Sequence, residues 1–266
     1  MRSVEVVQGD GPVILGLPHT GTWLPDEIGA RLNARGQELS DTDWHVDLLY
    51  DGLLPGATTV RATFHRYVVD ANRDPSGQSL YPGQATTGLV PLTDFDGAAI
   101  WLDPPTDEEI AERVAAFHAP YHAALAAEME RVCMRHGVAL LYDCHSIRSI
   151  VPRLFEGELP DFNIGTDGGR TCDPRVERSV VEICAAAPGF TSVLNGRFRG
   201  GWTTRHYGRP AEGWHAIQME LAQSTHLQSE TEGWAFDESK AAALRPHLQR
   251  ILERLAALAP ELGGTG

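Results

Sequence analysis

Four dense aliphatic runs, each breaking off into a cluster of polar residues, constrain this chain more than any other feature. They are Val13–Leu17, Thr58–Val69, Val138–Tyr142 and Ala216–Leu221. Apolar density with so little polar alternation is the pattern of strands buried on both faces. Helical stretches separate the runs, so the expected fold is a layered α/β domain. In open α/β sheets ligands bind beyond the carboxyl ends of strands, so the polar clusters at the run ends are the first places to look for chemistry.

Helix signals fill the intervals. Thr106 with Glu109 three residues on forms a capping box, acids crowd the first turn, and apolar residues keep helical spacing from Ile110 to Val132. Gly137 is the expected stop and Pro120 predicts a kink or break. A second helix starts at Asp173-Pro174, and a third spans about Glu238 to Ala259 with Pro246 disturbing it.

Composition narrows the partners. A hydrophobic share of 42% over 266 residues is enough for a sizeable core. A formal charge of −14 repels phosphate backbones and anionic lipid, so neither nucleic acid nor a membrane surface is an expected partner. An anionic small-molecule substrate would need a local basic cluster working against that field. No apolar stretch approaches the roughly 18 residues of a membrane span. Cys133, Cys144, Cys172 and Cys184 show no close pairing, which reads as reduced thiols in a cytoplasmic protein.

The run ends supply the candidates. His19, at the exit of the first run beside Gly21, is placed to offer its imidazole to a metal, or to hydrogen-bond within a turn. Asp41, Asp43 and Asp47 either open a helix or lend one carboxylate, Asp43 or Asp47, to the same ion. His145 ends the third run, with Asp143 as its orienting partner. Cys144 as a nucleophile with His145 as base is awkward, because adjacent residues of an extended chain point to opposite sides.

Arg66, Asn72 and Arg73 form the basic cluster, since a guanidinium fork matches a carboxylate. Asp70 and Asp74 leave a salt-bridged loop as the competing reading. Arg205, from a glycine-rich loop, is a further candidate for an anionic group. Glu220, inside the fourth run, is the strongest anomaly: a carboxylate in a buried strand is costly unless it is paired, ligated or used. His118 and His122 are four apart, the spacing of a metal pair, but no glutamate completes the helical zinc motif, and a role in the core or in support of the site residues is favoured.

Taken in order, the segments PHTGTWLP, LSDTDWHVDLLYDGL, RYVVDANRDP, LYDCHSI, FNIGTDGG, FRGGWTTRHYG and HAIQMELAQ resemble the N-formylglutamate amidohydrolases. The likeness extends from about residue 13 to about residue 225, and residues 1–266 read as one catalytic domain. It implies a three-layer α/β/α fold with a central mixed sheet, zinc-carboxypeptidase-like, and a Zn²⁺ (or similar) ion. It also implies hydrolysis of N-formyl-L-glutamate to glutamate and formate, with a related amidase on another N-acyl amino acid or peptide as the alternative.

The resemblance also implies a more distant likeness to aspartoacylases and metallocarboxypeptidases, in which an H-x-x-E motif supplies two ligands. Here Thr22 stands where that glutamate would be, so the resemblance implies an aspartate instead, Asp43 ahead of Asp47, beside His19 and His145. By the same likeness Glu220 is the general base, Arg66 polarises the carbonyl, and Asn72-Arg73 grips the α-carboxylate. Arg205 is left for the side-chain carboxylate.

Overall fold

Three of the four aliphatic runs become the adjacent parallel strands at the centre of a seven-stranded mixed sheet. The computed structural model describes residues 2–79, 83 and 86–263. The strands are β1 (Val4–Val7), β2 (Val13–Leu17), β3 (Thr58–Ala62), β4 (Ala139–Ile147), β5 (Phe162–Gly165), β6 (Ser192–Leu194) and β7 (Trp214–Ala222), in spatial order β1-β3-β2-β4-β7-β5-β6. β3, β2, β4 and β7 run parallel, while β1 and β5 pair antiparallel to β3 and β7. All nine residues of β4 are buried, as its position between β2 and β7 requires.

Side-chain alternation divides the core between the two faces of the sheet. On one face Leu15, Tyr142, Cys144 and Met219 pack with α3 (Val46–Tyr50), α6 (Pro174–Ala185) and α8 (Glu238–Leu262). On the other, Ile14, Leu141 and Ala216 pack with α5 (Ala119–His136), which gives helix, sheet and helix layers. The short helices α1 (Asp26–Gly29) and α2 (Ala34–Gln37) precede α3, α4 (Asp107–Arg113) precedes α5, and α7 (Trp202–Tyr207) leads towards β7.

Three expectations need correction. The run Thr58–Val69 is a strand only to Ala62. Beyond it the chain turns, with the Val68 amide donating to the His65 carbonyl at 2.9 Å, and this turn carries Arg66 and Asp70 to the centre of the molecule. The helix after Thr106 has its capping box and its left-handed Gly137 stop, but Val114–His118 is a π turn directly before α5. Pro120 follows this π turn within one continuous helical path from Asp107 to His136, so the helix widens ahead of the proline instead of breaking. The last helix runs through Pro246 to Leu262, because the buried stripe Leu244, Leu248, Ile251 and Leu255 continues on both sides of the proline.

Candidate active site

The register of the central strands decides what meets at their carboxyl ends. β4 and β7 place His145 opposite Glu220, and β2 and β4 place Gly16 opposite Asp143, so His19 emerges beside His145 just past the end of β2. Their ring centroids are 5.0 Å apart. Asp43 arrives from the turn between α2 and α3, where its amide donates to the His19 carbonyl at 3.1 Å. One ligand atom each from His19, Asp43 and His145 then lies within 4.8 Å of the others, and all three side chains are buried. Asp47 is elsewhere, half-buried and 3.6 Å from Arg61.

The hydrogen bonds around the cluster fix how the rings are held. His19 Nε2 lies 2.7 Å from Asp70 Oδ1; an ionised carboxylate only accepts, so Nε2 carries a proton and Nδ1 is the nitrogen left for a second proton or a metal ion. That Nδ1 is buried without a hydrogen-bond partner and faces Asp43 Oδ2 at 3.6 Å. Two acceptors so placed repel each other unless a proton or a cation lies between them. His145 Nδ1 sits 3.2 Å from the same Asp43 oxygen, and its Nε2 sits 3.1 Å from Asp143.

The carboxylates are strongly biased. Burial opposes ionisation of Asp43, but the Arg66 guanidinium at 3.0 Å and the two imidazoles outweigh it and hold the acid below its ordinary value. Burial likewise opposes Asp70, and Arg73 and His19 outweigh it. For His145 burial disfavours the charged ring, yet Asp143 more than compensates and raises its proton affinity. Four buried acids, Asp43, Asp70, Asp143 and Glu220, thus face two guanidiniums, Arg66 and Arg73, and the His145 ring, whose extra proton a divalent cation would replace. Two imidazoles and a carboxylate form a donor set that zinc accepts.

Beside the cluster opens a cavity of about 250 Å³, whose lining includes His19, His145, Arg66, Asn72, Arg73 and Glu220. That is a small-molecule volume. Burial pushes the Glu220 carboxyl up to about 7, with His145 pulling the other way. Gln218 donates to it at 2.9 Å and accepts from the Gly201 amide, which fixes the carboxylate. Arg66 keeps a buried Nε–H without a hydrogen-bond partner. Arg73 is braced by Thr87, at 2.8 Å to its hydroxyl and 3.1 Å to its carbonyl.

Sequence reasoning missed or misplaced several residues. Asp70, read as half of a loop salt bridge, is fully buried on His19; it closes an apolar pair, Val68-Val69, and that signal was visible. His118 and His122 sit 3.0 Å and 2.7 Å from the Arg73 and Ala71 carbonyls, so they pin the turn that bears Asn72 and Arg73. Arg205 is not among the residues lining the cavity; its Nε donates to the Gly200 carbonyl and its Nη2 lies 3.5 Å from Asp167. Cys144 packs in the opposite face of the core, where burial pushes its thiol well up. That placement removes it as a nucleophile.

A family model described as N-formylglutamate amidohydrolase matches residues 11–227. The chain belongs to that family. It is 44% identical over 253 residues to the N-formylglutamate deformylase of Pseudomonas aeruginosa, a match covering 94% of each chain. It is 43% identical to the enzyme of that name from Pseudomonas putida, over 96% of each. Among solved structures, the N-formylglutamate amidohydrolase of Ralstonia eutropha JMP134 superposes with a TM-score of 0.82 at 27% identity, covering 98% of this chain and 99% of that one. A protein from Agrobacterium tumefaciens, 18% identical with a TM-score of 0.73, shares the fold.

Proposed function

We propose that this chain hydrolyses N-formyl-L-glutamate to L-glutamate and formate, using a divalent metal, zinc by preference, held by His19, Asp43 and His145. The observation that carries the reading is His19 Nδ1, buried without a hydrogen-bond partner, in a side chain that converges with Asp43 and His145 beside a cavity that also presents Glu220 and Arg73. When bound, such an ion polarises the scissile carbonyl and makes water nucleophilic near neutral pH.

The protein's own groups then divide the work. Glu220, its carboxyl pushed up to about 7, accepts the proton of the attacking water and passes it to the departing amine. The water oxygen bonds to the formyl carbon and the C–N bond breaks, with the nitrogen leaving as the protonated amine of glutamate. Arg66, cationic and lined up on the cavity, offers its Nε–H to the negative charge growing on the formyl oxygen. Arg73, with Asn72 beside it, binds the α-carboxylate. We read the reaction as cytoplasmic; all four cysteines are free thiols, three of them buried.

A formate-release assay tests the proposal. The protein should release formate from N-formyl-L-glutamate, lose that activity on prior chelation and regain it with added zinc. It should turn over N-acetyl-L-glutamate far more slowly. Undiminished activity after exhaustive chelation, or a preference for the acetyl compound, overturns it.

A further inference from the structure

The cavity is lined by a further arginine besides those assigned above. Among the described residues its lining contains three arginines, Arg66, Arg73 and Arg197, and no lysine. Arg66 is almost fully buried against Asp43, and Arg73 is braced on the Thr87 segment. Arg197 comes from a different part of the chain, after β6. Its Nε donates to the Leu154 carbonyl at 2.7 Å, and its guanidinium carbon lies 5.5 Å from the Phe198 ring centre. Both contacts fix the orientation of the fork before any ligand arrives, so less freedom is lost on binding.

Several described neighbours of Arg197 are apolar. Leu154 and Phe198 pack against a small cluster built on Phe95, Ile147, Val151 and Leu159, separate from the two main cores. Phe95, Ile147, Leu154 and Phe198 also line the cavity. An apolar wall with a guanidinium fixed at it is complementary to a short methylene chain that ends in a carboxylate.

We infer that Arg197 binds the side-chain carboxylate of the substrate and sets the preference for an acidic acyl-amino acid over a neutral one. This rests on the function proposed above and adds to it the group that reads the second carboxylate.

The test compares N-formyl-L-glutamate with N-formyl-L-glutamine, a neutral substrate of the same shape, for the wild type, Arg197→Gln and Arg197→Lys. The wild type should prefer the acid. Loss of a hydrogen bond to a charged group should lower kcat/KM for the acid by about 10- to 100-fold in Arg197→Gln, mainly through KM, with the glutamine compound little changed. Arg197→Lys, which keeps the charge, should keep much of the preference and also serves if the Gln variant does not fold.

Equal losses on both substrates, or an undiminished preference for the acid in Arg197→Gln, overturn the assignment while leaving the proposed function standing. A wild type that does not discriminate between the two substrates also overturns it. A wild type that releases no formate from N-formyl-L-glutamate sinks the proposed function, and the assignment with it.

Discussion

His19 and Asp70 form a buried pair, Nε2 to Oδ1 at 2.7 Å, that leaves the opposite ring nitrogen aimed at Asp43. A carboxylate behind an imidazole fixes the tautomer and raises the basicity of the outward nitrogen. Asp70→Asn keeps the shape, and an oxygen for the Asn72 amide that now bonds there at 2.8 Å, but drops the charge. Zinc affinity should fall about 10- to 100-fold, as is usual when such a partner is changed. Competition with a chromophoric chelator measures it, and an affinity equal to wild type would remove Asp70 from ion holding.

Glu220 stands opposite His145 in the sheet register yet is not one of the three residues whose ligand atoms converge. Glu220→Gln should therefore lower kcat by about 10²- to 10⁴-fold, the span of general acid–base catalysis, with metal content unchanged. Metal analysis and formate release on the same preparation decide it. A variant that loses its metal in step with its activity would make Glu220 a ligand instead.

Much of this arrangement is legible in the sequence, for a physical reason. Buried parallel strands must be aliphatic, so the polar residues that interrupt or end them, His19, His145 and Glu220, stand out against that background. The caps at Thr106 and Asp173 are equally local and appear as expected. What is not legible depends on where the chain turns after it leaves the sheet. The β-branched residues Val68 and Val69 read as strand continuation, but they fill the core face beneath a turn whose polar members point at the cluster. Arg205 and Arg197 lie eight residues apart around a glycine-rich bend, and only the course of that bend shows which one reaches the cavity. His118 and His122 act on backbone carbonyls, a role that residue type does not announce.

His122 also ties stability to pH. Burial, with His118 nearby, pushes its imidazole down to about 3, against the ordinary 6.5. Below pH 6.5 the unfolded chain takes up a proton that the folded chain refuses, so stability present above 6.5 is lost as pH falls towards 3. The slope is about 1.4 kcal/mol per pH unit, which makes about 2 kcal/mol between pH 6.5 and pH 5. His122→Gln keeps an amide donor for the Ala71 carbonyl but cannot titrate. Urea unfolding at both pH values should show wild type losing more stability than the variant by about that amount. Equal losses would mean that the ring is protonated in the fold.

Gly201 tests the neighbourhood of the clamp by crowding rather than by deletion. Its backbone, at φ −77°, suits any residue, so the obstacle to a side chain is space alone. A Cβ there would collide with the side-chain amide of Asn72, which is held by the Thr203 amide at 2.9 Å and lies 3.2 Å from His145 Nε2. Alanine must push Asn72 away from both, an overpacking whose cost is about 1–3 kcal/mol. Gly201→Ala should lower the thermal midpoint by a few degrees. Because Asn72 adjoins the α-carboxylate clamp, KM for N-formyl-L-glutamate should rise at least several-fold, by more in proportion than kcat falls. A normal KM in a folded Gly201→Ala protein would show that Asn72 does not touch the substrate, and would leave the α-carboxylate to Arg73 alone.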